Sequence, residues 1–452
     1  MKWLLVPAIP ILGLLLVYLS VRAIRGMRTR TFIGANRSVV PRFEAVPCDF
    51  IHALADDGRV HPVLDLIELD PDGNGDAHFL VSGGADQPNG LFRWRDGRVQ
   101  DVTSKYGLEG PVDQAVYGLL SADIDGDGRA EVLMAMRDTV LVYRQETPGG
   151  RYAATQLDFV IPRNQVPVSL SAADTRRTGM LDLYVSTYIA PELNRTAIYN
   201  DPEIRGENVY LVNLGKGQFE DRTSVSGINV RQNTFQTLWV DLNGNGLPDL
   251  VLALNTDRPR MFANQGDGTF VERRLPGGYG FWMGVAAADT SRSGRPDLYF
   301  SNVGSSIPAF LVKGDTREDQ TIDLSLRHMR NDGDYRFTEI GDTLGSNNKK
   351  FGWGVAMEDF VGSGDPQIVV TENYTHYPFN LQAIFPSKGS FLVKGKDGGY
   401  CDTSRYSGVS NPKFGYRALA IDLRGDGRKD LVIANLGGPV RVFLNLAEPK
   451  SA

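Results

Sequence analysis

Seven times along the chain an apolar run gives way to an aspartate. A glycine follows five residues later, and a second apolar run begins. The aspartates are Asp70, Asp123, Asp174, Asp241, Asp289, Asp359 and Asp422, with Gly75, Gly128, Gly179, Gly246, Gly294, Gly364 and Gly427. The runs before the aspartates are small or apolar, as in 285–288, 355–357 and 418–421. The runs after them, such as 131–136, 249–254 and 430–434, are apolar at successive positions, the pattern of a strand buried on both faces. A third strand and a glycine turn follow, as in 260–270. Successive aspartates lie between 48 residues apart (241 to 289) and 70 apart (289 to 359), longer than a WD40 blade and without its Trp-Asp ending. Four strands per repeat and seven repeats predict an all-β, seven-bladed propeller with four-stranded blades over residues 42–447.

The last copy stops after 440–444, with no fourth strand behind it. Upstream of the first copy, Arg42-Phe43-Glu44 resembles the fourth-strand stretch Arg336-Phe337-Thr338-Glu339. Residues near 42–47 are therefore expected to complete the seventh blade and close the ring, which removes free sheet edges.

The N-terminus follows another pattern. Trp3 to Val21 carries no charge and is long enough to cross most of a bilayer as one hydrophobic helix, kinked early by Pro7 and Pro10. Residues 1–25 read as a signal anchor or a signal peptide, with Val21-Arg22-Ala23 as a cleavage site. Residues 26–41 read as a linker and 448–452 as a tail. Arg22, Arg25, Arg28 and Arg30 follow the span, so the positive-inside rule alone would hold the body in the cytoplasm. The calcium-type loops described next argue instead for an extracytoplasmic body, secreted or membrane-anchored.

Composition narrows the chemistry. Asp plus Glu (54) nearly balance Lys plus Arg (48), and no basic stripe marks the body, so nucleic acid is not an expected partner. Two cysteines cannot build a disulfide framework; Cys48 and Cys401 either pair once or stay as buried thiols. Five scattered histidines do not make a metal centre.

The Asp-to-Gly segments carry a different metal pattern. Calcium takes six to eight oxygens at roughly 2.3–2.6 Å, and a tight loop with carboxylates or amides at alternate positions can deliver them. Asp123, Asp125, Asp127 and Glu131 fill positions one, three, five and nine. Asp241, Asn243, Asn245 and Asp249 do the same with two amides. Asp422, Asp426 and Asp430 fit around Arg424 at position three. Asp70, Asp72 and Asn74 fit, with His78 at position nine and Asp76 as a substitute. The remaining loops lose ligands to Arg176 and Thr178, to Ser291 and Ser293 (although Asp297 remains), and to Val361 and Gln367. They read as hairpin turns held by Asp side chains. An EF-hand is excluded, because its twelfth position falls on Val81, Met134 or Leu252 between strand-like flanks.

Asp-x-Asp-Gly-Asp-Gly with an acid at position nine, followed by an apolar run ending in Asn255, Asn302, Asn373 or Asn435, resembles the FG-GAP/VCBS repeat. Phe351-Gly-Trp-Gly-Val-Ala356 and Asn264-Gln-Gly-Asp-Gly-Thr-Phe270 resemble in particular the cartilage-acidic-protein (ASPIC/UnbV-associated) branch. The resemblance covers residues 42–446. It implies a propeller similar to the integrin α-subunit head, with calcium loops on one face. The C-terminal ASPIC/UnbV module of that branch has no counterpart after blade 7.

A scaffold does not fix a function. On the face opposite the loops, the long insertions 187–208 and 373–388 carry Tyr188, Tyr199, Asn373, Tyr374, His376 and Tyr377, a composition suited to a protein or glycan ligand. Trp282 and Trp353 either reach that face or pack between blades. The leading reading is an exported calcium-binding module for adhesion or binding. The alternatives are a polysaccharide lyase or hydrolase, for which Tyr374, His376 and Tyr377 form the one local cluster, and a structural subunit of a cell-envelope complex. No catalytic motif for acyl or phosphoryl transfer is present.

Overall fold

The computed structural model describes residues 27, 29, 31–54, 64–84, 86–193, 205–304, 320–348, 350–373 and 386–447. They form seven antiparallel sheets, six of them wound in chain order from an inner to an outer strand. Blade 1 comprises Leu66–Leu69, His78–Val81, Gly90–Arg95 and Arg98–Asp101; blade 2, Gly118–Ala122, Glu131–Ala135, Val140–Gln145 and Tyr152–Gln156. Blade 3 comprises Gln165–Ala173, Asp182–Ile189, Val209–Gly215 and Gln218–Asp221; blade 4, Thr234–Val240, Asp249–Asp257, Arg260–Asn264 and Phe270–Arg273. Blade 5 comprises Val285–Ala288, Asp297–Phe300, Arg327–Gly333 and Arg336–Glu339; blade 6, Gly352–Glu358, Gln367–Glu372, Ser390–Lys394 and Tyr400–Asp402.

Blade 7 is assembled from both ends of the ring. Gly415–Ile421, Asp430–Asn435 and Arg441–Asn445 supply three strands. Phe43–Val46 supplies the fourth, paired antiparallel with Phe43 opposite Asn445 and Val46 opposite Val442. A second clasp lies inside this seam. The Arg417 guanidinium of blade 7 bonds the Asp65 carboxylate at 3.0 Å, and Asp65 also accepts the Leu119 N–H of blade 2 at 2.9 Å. One buried acid thus joins three consecutive blades.

Second strands are buried along nearly their whole length, as the unbroken apolar runs require. Inner strands crowd one another. A Cβ on Gly284 would meet the Trp353 carbonyl oxygen at 2.4 Å, and one on Gly354 the Tyr416 carbonyl oxygen at 2.5 Å, so only glycine fits. Each inner strand ends at its repeat aspartate. All seven Asp loops therefore share one face, and the inner strands begin on the other.

At that other end the axis is filled. Phe235 of blade 4 meets Trp353 of blade 6 at 5.9 Å between ring centroids, although blade 5 lies between them in the ring. Such a contact is possible only near the centre. Tyr117, Val166, Met283 and Tyr416 from four further blades join the same apolar cluster. Trp353 donates its indole N–H to the Asn373 carbonyl and Trp282 to the Asp257 carbonyl. Both tryptophans are packing residues.

At the N-terminus one expectation lies outside the described residues and one changes. Trp3–Val21 lies outside the described residues, and among those described no helix is long and apolar enough to cross a membrane. The described end of the 26–41 segment docks on blade 6: Phe32 packs against the core between blades 6 and 7, and the Asn36 side chain accepts the Lys396 N–H at 2.8 Å.

Deleting Phe43–Val46 should lower the melting midpoint of the whole ring by about 5 °C or more, since it exposes the edge of Arg441–Asn445. An unchanged midpoint in a thermal scan would show that closure contributes nothing.

Candidate metal loops and ligand face

The recurrent aspartate and glycine have a common structural task. In every blade one oxygen of the first Asp accepts an N–H three or four residues on, and the other accepts the N–H of the glycine at position six. For Asp123 the donors are Gly126 at 2.7 Å and Gly128 at 2.8 Å; for Asp289 they are Ser293 at 2.9 Å and Gly294 at 2.7 Å. All seven position-six glycines have positive φ, between 77° and 88°. The turn forms identically in loops that keep the calcium pattern and loops that lose it. The Asp–Gly pair is therefore a fold signal first.

Position nine is different, because it is buried in all seven blades: Glu131, Asp182, Asp249, Asp297 and Asp430, with Gln367 and His78 as neutral exceptions. Four of these acids accept the backbone N–H of an asparagine at the end of the third strand. Asp182 takes Asn213 at 2.8 Å, Asp249 takes Asn264 at 2.9 Å, Asp297 takes Asn331 at 2.8 Å and Asp430 takes Asn445 at 2.7 Å.

Each of these asparagines then reaches into the preceding blade. The Nδ2 of Asn213 donates to the Ile124 carbonyl at 2.7 Å, Asn264 to Thr175 at 2.9 Å, Asn331 to Leu242 at 2.8 Å and Asn445 to Phe360 at 2.7 Å. All four acceptors occupy position two of the neighbouring Asp loop. The second N–H of each amide goes to position eight of its own loop, and Oδ1 accepts the N–H two residues on. Every donor and acceptor of the buried side chain is used, and aspartate could not supply the two donors. In blade 6 the Lys394 ammonium makes the same reach, to the Thr290 carbonyl at 2.8 Å. In blade 2 the Gly149 backbone N–H does so, to the Pro71 carbonyl at 2.8 Å.

The calcium positions divide under this geometry. As the side chains stand, no three His, Cys, Asp or Glu among the described residues converge tightly enough to hold an ion. The charge balance nevertheless separates the loops. In blade 2, Asp123, Asp125, Asp127 and Glu131 face two guanidiniums, Arg144 on Asp125 at 2.7 Å and Arg129 on Asp127. Two negative charges remain in excess. Burial pushes Glu131 up to about 7. In blade 4, Asp249 accepts the Leu242 and Asn264 N–H groups and the Tyr335 hydroxyl. Arg177 reaches the loop only at the Asn245 carbonyl. Burial raises Asp249 as well. A buried carboxylate without a counter-charge is costly, so the donor sets of blades 2 and 4 fit a divalent cation.

Blades 1 and 7 do not fit in the same way. In blade 7 the Arg424 guanidinium grips Asp430 and lies 3.4 Å from Asp426. In blade 1 Asp72 turns to the Tyr106 hydroxyl at 2.8 Å and the Lys105 ammonium at 3.4 Å. Asn74 bonds Asp76, and the buried His78 ring faces the Asp76 carbonyl.

On the opposite face, Tyr188 is buried, packed at a tilt against Phe235 and bonded to the Asn255 amide at 2.5 Å. Asn373 is buried too; its amide ties the Ser387 and Lys413 carbonyls together. Both are anchors beneath the insertions and are not available to a ligand. Tyr199, Tyr374, His376 and Tyr377 lie outside the described residues. A long connection also leaves this face of blade 5, between Phe300 and Arg327, where the sequence pattern singled out nothing. Cys48 and Cys401 are free thiols, and burial pushes Cys48 up to about 12. A cavity of about 580 Å³ lies elsewhere, at the blade 7–blade 1 seam between Val46 and Arg98–Asp101.

Fold and loops together define a seven-bladed propeller carrying FG-GAP-like repeats. Residues 123–185 and 241–300 match the FG-GAP-like repeat family. Over 305 residues the chain is 25% identical to cartilage acidic protein 1 of Xenopus tropicalis, covering 60% of this chain and 44% of that one. Over 312 residues it is 24% identical to the Mus musculus protein of the same name, covering 64% and 43%. The chain thus spans less than half the length of these relatives. Among solved structures, BBS1N in complex with ARL6DN superposes with a TM-score of 0.52 at 11% identity, covering 92% of this chain and 99% of that one. That likeness concerns the fold alone.

Two measurements follow from the geometry. Asn331→Leu strands the Leu242 and Pro296 carbonyls and should cost about 1–3 kcal/mol in denaturant unfolding; a cost near zero would mean the reach between blades is not stabilising. Acid should also loosen the junction of blades 5 and 6. There His328 is buried between the Thr290 and Ser346 hydroxyls, and burial, with Lys394 nearby, pushes it down from 6.5 to about 4. The folded state keeps the ring neutral while the unfolded chain takes up a proton. Its contribution is therefore complete above pH 6.5 and lost as pH falls toward 4, to roughly 3 kcal/mol at most. His328→Gln should flatten that part of the stability–pH curve.

Proposed function

We propose that the protein is an exported binding module for a protein or glycan. Its ligand face is the one opposite the Asp loops, and calcium in blades 2 and 4 braces the ring behind it. The observation that carries this reading is the clustering of long connections. The segments 190–208, 301–326 and 373–389 join second to third strands, and so leave the same face of blades 3, 5 and 6. The equivalent connections of blades 2, 4 and 7 are short. Beneath them the aromatic plug seals the axis, so a ligand would be held by loops on a rigid platform and not within a channel. Asn373 and the fully buried Glu372 fasten the base of one such loop: Glu372 takes the Ser390 and Ser387 hydroxyls and the Lys350 ammonium.

Calcium is supported by the uncompensated buried carboxylates Glu131 and Asp249. Export rests on the uncharged stretch 3–21, as an anchor or a cleaved signal. Protection of the body from added protease in intact cells would refute export.

Calcium at a hundredfold excess over its Kd should stabilise the protein by about 2–3 kcal/mol per site. Asp249→Asn should remove the blade 4 share. No calcium-dependent shift in a thermal melt would remove the ion from the account. On a glycan array, or against a displayed peptide library, replacing 374–385 with a short glycine turn should abolish binding while leaving the melting midpoint in place. Retention of binding would move the site elsewhere.

A further inference from the structure

Blades 3 and 7 carry an arginine at position three, and the two side chains do the same thing. Arg176 Nη2 and Nε bond the two oxygens of Asp182 at 3.0 and 3.1 Å, and Nη2 also bonds the Asn213 carbonyl at 2.9 Å. Arg424 Nη2 and Nε bond the two oxygens of Asp430 at 2.8 and 3.3 Å, and Nη2 bonds the Asn445 carbonyl at 2.7 Å. Each guanidinium thus holds the position-nine acid bidentately and caps the carbonyl of the asparagine that reaches the preceding blade. Both carboxylates are fully buried, and both arginines are mostly covered, with 22% and 17% of the side chain exposed. In blade 6, where position three is Val361, position nine is the neutral Gln367, whose Oε1 takes the Phe360 N–H at 2.9 Å. In blade 1 it is His78, a neutral ring facing a carbonyl.

We infer that blades 3 and 7 carry a built-in cation: Arg176 and Arg424 neutralise the buried position-nine acid where a divalent ion would otherwise do so, and these two loops exclude calcium. The sequence-level expectation of a metal at Asp422, Asp426 and Asp430 is replaced by a guanidinium brace. Two observations support this independently. The same three contacts recur in two blades far apart in sequence. The one acid with a full set of calcium-type neighbours in each of blades 2 and 4 lacks any guanidinium of its own. A planar fork suits the task because it meets both carboxylate oxygens and a carbonyl at once, which an ammonium cannot. The inference deepens the calcium reading, but its first arm needs no metal.

The test uses the full chain after EDTA treatment. Arg424→Met should lower the melting midpoint by about 4 °C or more, by leaving Asp430 buried without a counter-charge. Adding Asp430→Asn to that variant should restore most of the loss. Arg424→Asp completes the alternating acid pattern of the blade 7 loop. It should melt early in EDTA, recover on adding calcium chloride, and bind one more ion per chain by isothermal titration than the unmodified protein. Arg424→Met as stable as the unmodified chain, or Arg424→Asp with no added ion, would overturn the inference. If Arg424→Asp does not fold, the Met and Met/Asn pair decides alone. Should the unmodified chain bind no calcium while Arg424→Asp gains an ion, the guanidinium assignment stands and the calcium reading of blades 2 and 4 falls. The reverse pattern separates the two claims the other way.

Discussion

A carboxylate with no access to water must have its hydrogen bonds and its charge satisfied where it sits. In this propeller that constraint falls on position nine of the repeat, and the ring is organised around its solution. The acid on the second strand holds the asparagine on the third strand through its backbone, and the asparagine side chain fastens the Asp loop of the preceding blade. Sheets that share no strand thereby gain a directional polar tie. The tie recurs at six of the seven junctions: four by asparagine, one by Lys394 and one by a backbone N–H. At the seventh, between blades 7 and 1, Trp94 occupies the equivalent site. There the work passes to the Arg417–Asp65 pair and the closing strand.

The charge half of the problem has four solutions in one chain. Blades 1 and 6 remove the charge, with His78 and Gln367. Blades 3 and 7 supply a guanidinium. Blades 2 and 4 keep the acid and surround it with further oxygens. Blade 5 keeps Asp297 and holds it with the Thr290 and Ser291 hydroxyls and the Ser291 and Asn331 N–H groups. Variation in the loops, which looks like decay of a metal motif when the sequence is read alone, is ordered once the buried residue is taken as the fixed point.

Much of this was legible in the sequence, for physical reasons that can be named. The sevenfold Asp–Gly recurrence reports a turn that requires a positive φ and a carboxylate acceptor, so it marks every blade whatever its ligand content. The doubly apolar second strands report burial between neighbouring sheets. Arg42-Phe43-Glu44 gave away the closing strand because an outer strand keeps one buried position, Phe43, between exposed ones. The Asn-x-Gly pattern was visible at 264–266 as part of a motif, and it recurs at 213–215 and 331–333. Its purpose was not visible, because the partner carbonyl lies 85 to 89 residues away. The same distance effect hid the roles of Tyr188 and Asn373, whose partners Asn255 and Lys413 lie 67 and 40 residues away, whereas Arg176 and Arg424 grip acids only six residues on. A tyrosine in an insertion looks exposed until the neighbouring blade is placed against it, and an arginine in a loop until the second and third strands of its own blade fold beneath it.

The direct test of the central constraint is residue-resolved hydrogen exchange on the native protein. The backbone amides of Asn213, Asn264, Asn331 and Asn445 donate to the buried position-nine acids, and the account predicts that they exchange only through global unfolding, among the slowest in the chain. If those four amides exchange as fast as Gly126 or Gly244 in the exposed Asp loops, the buried tie does not hold the blades together.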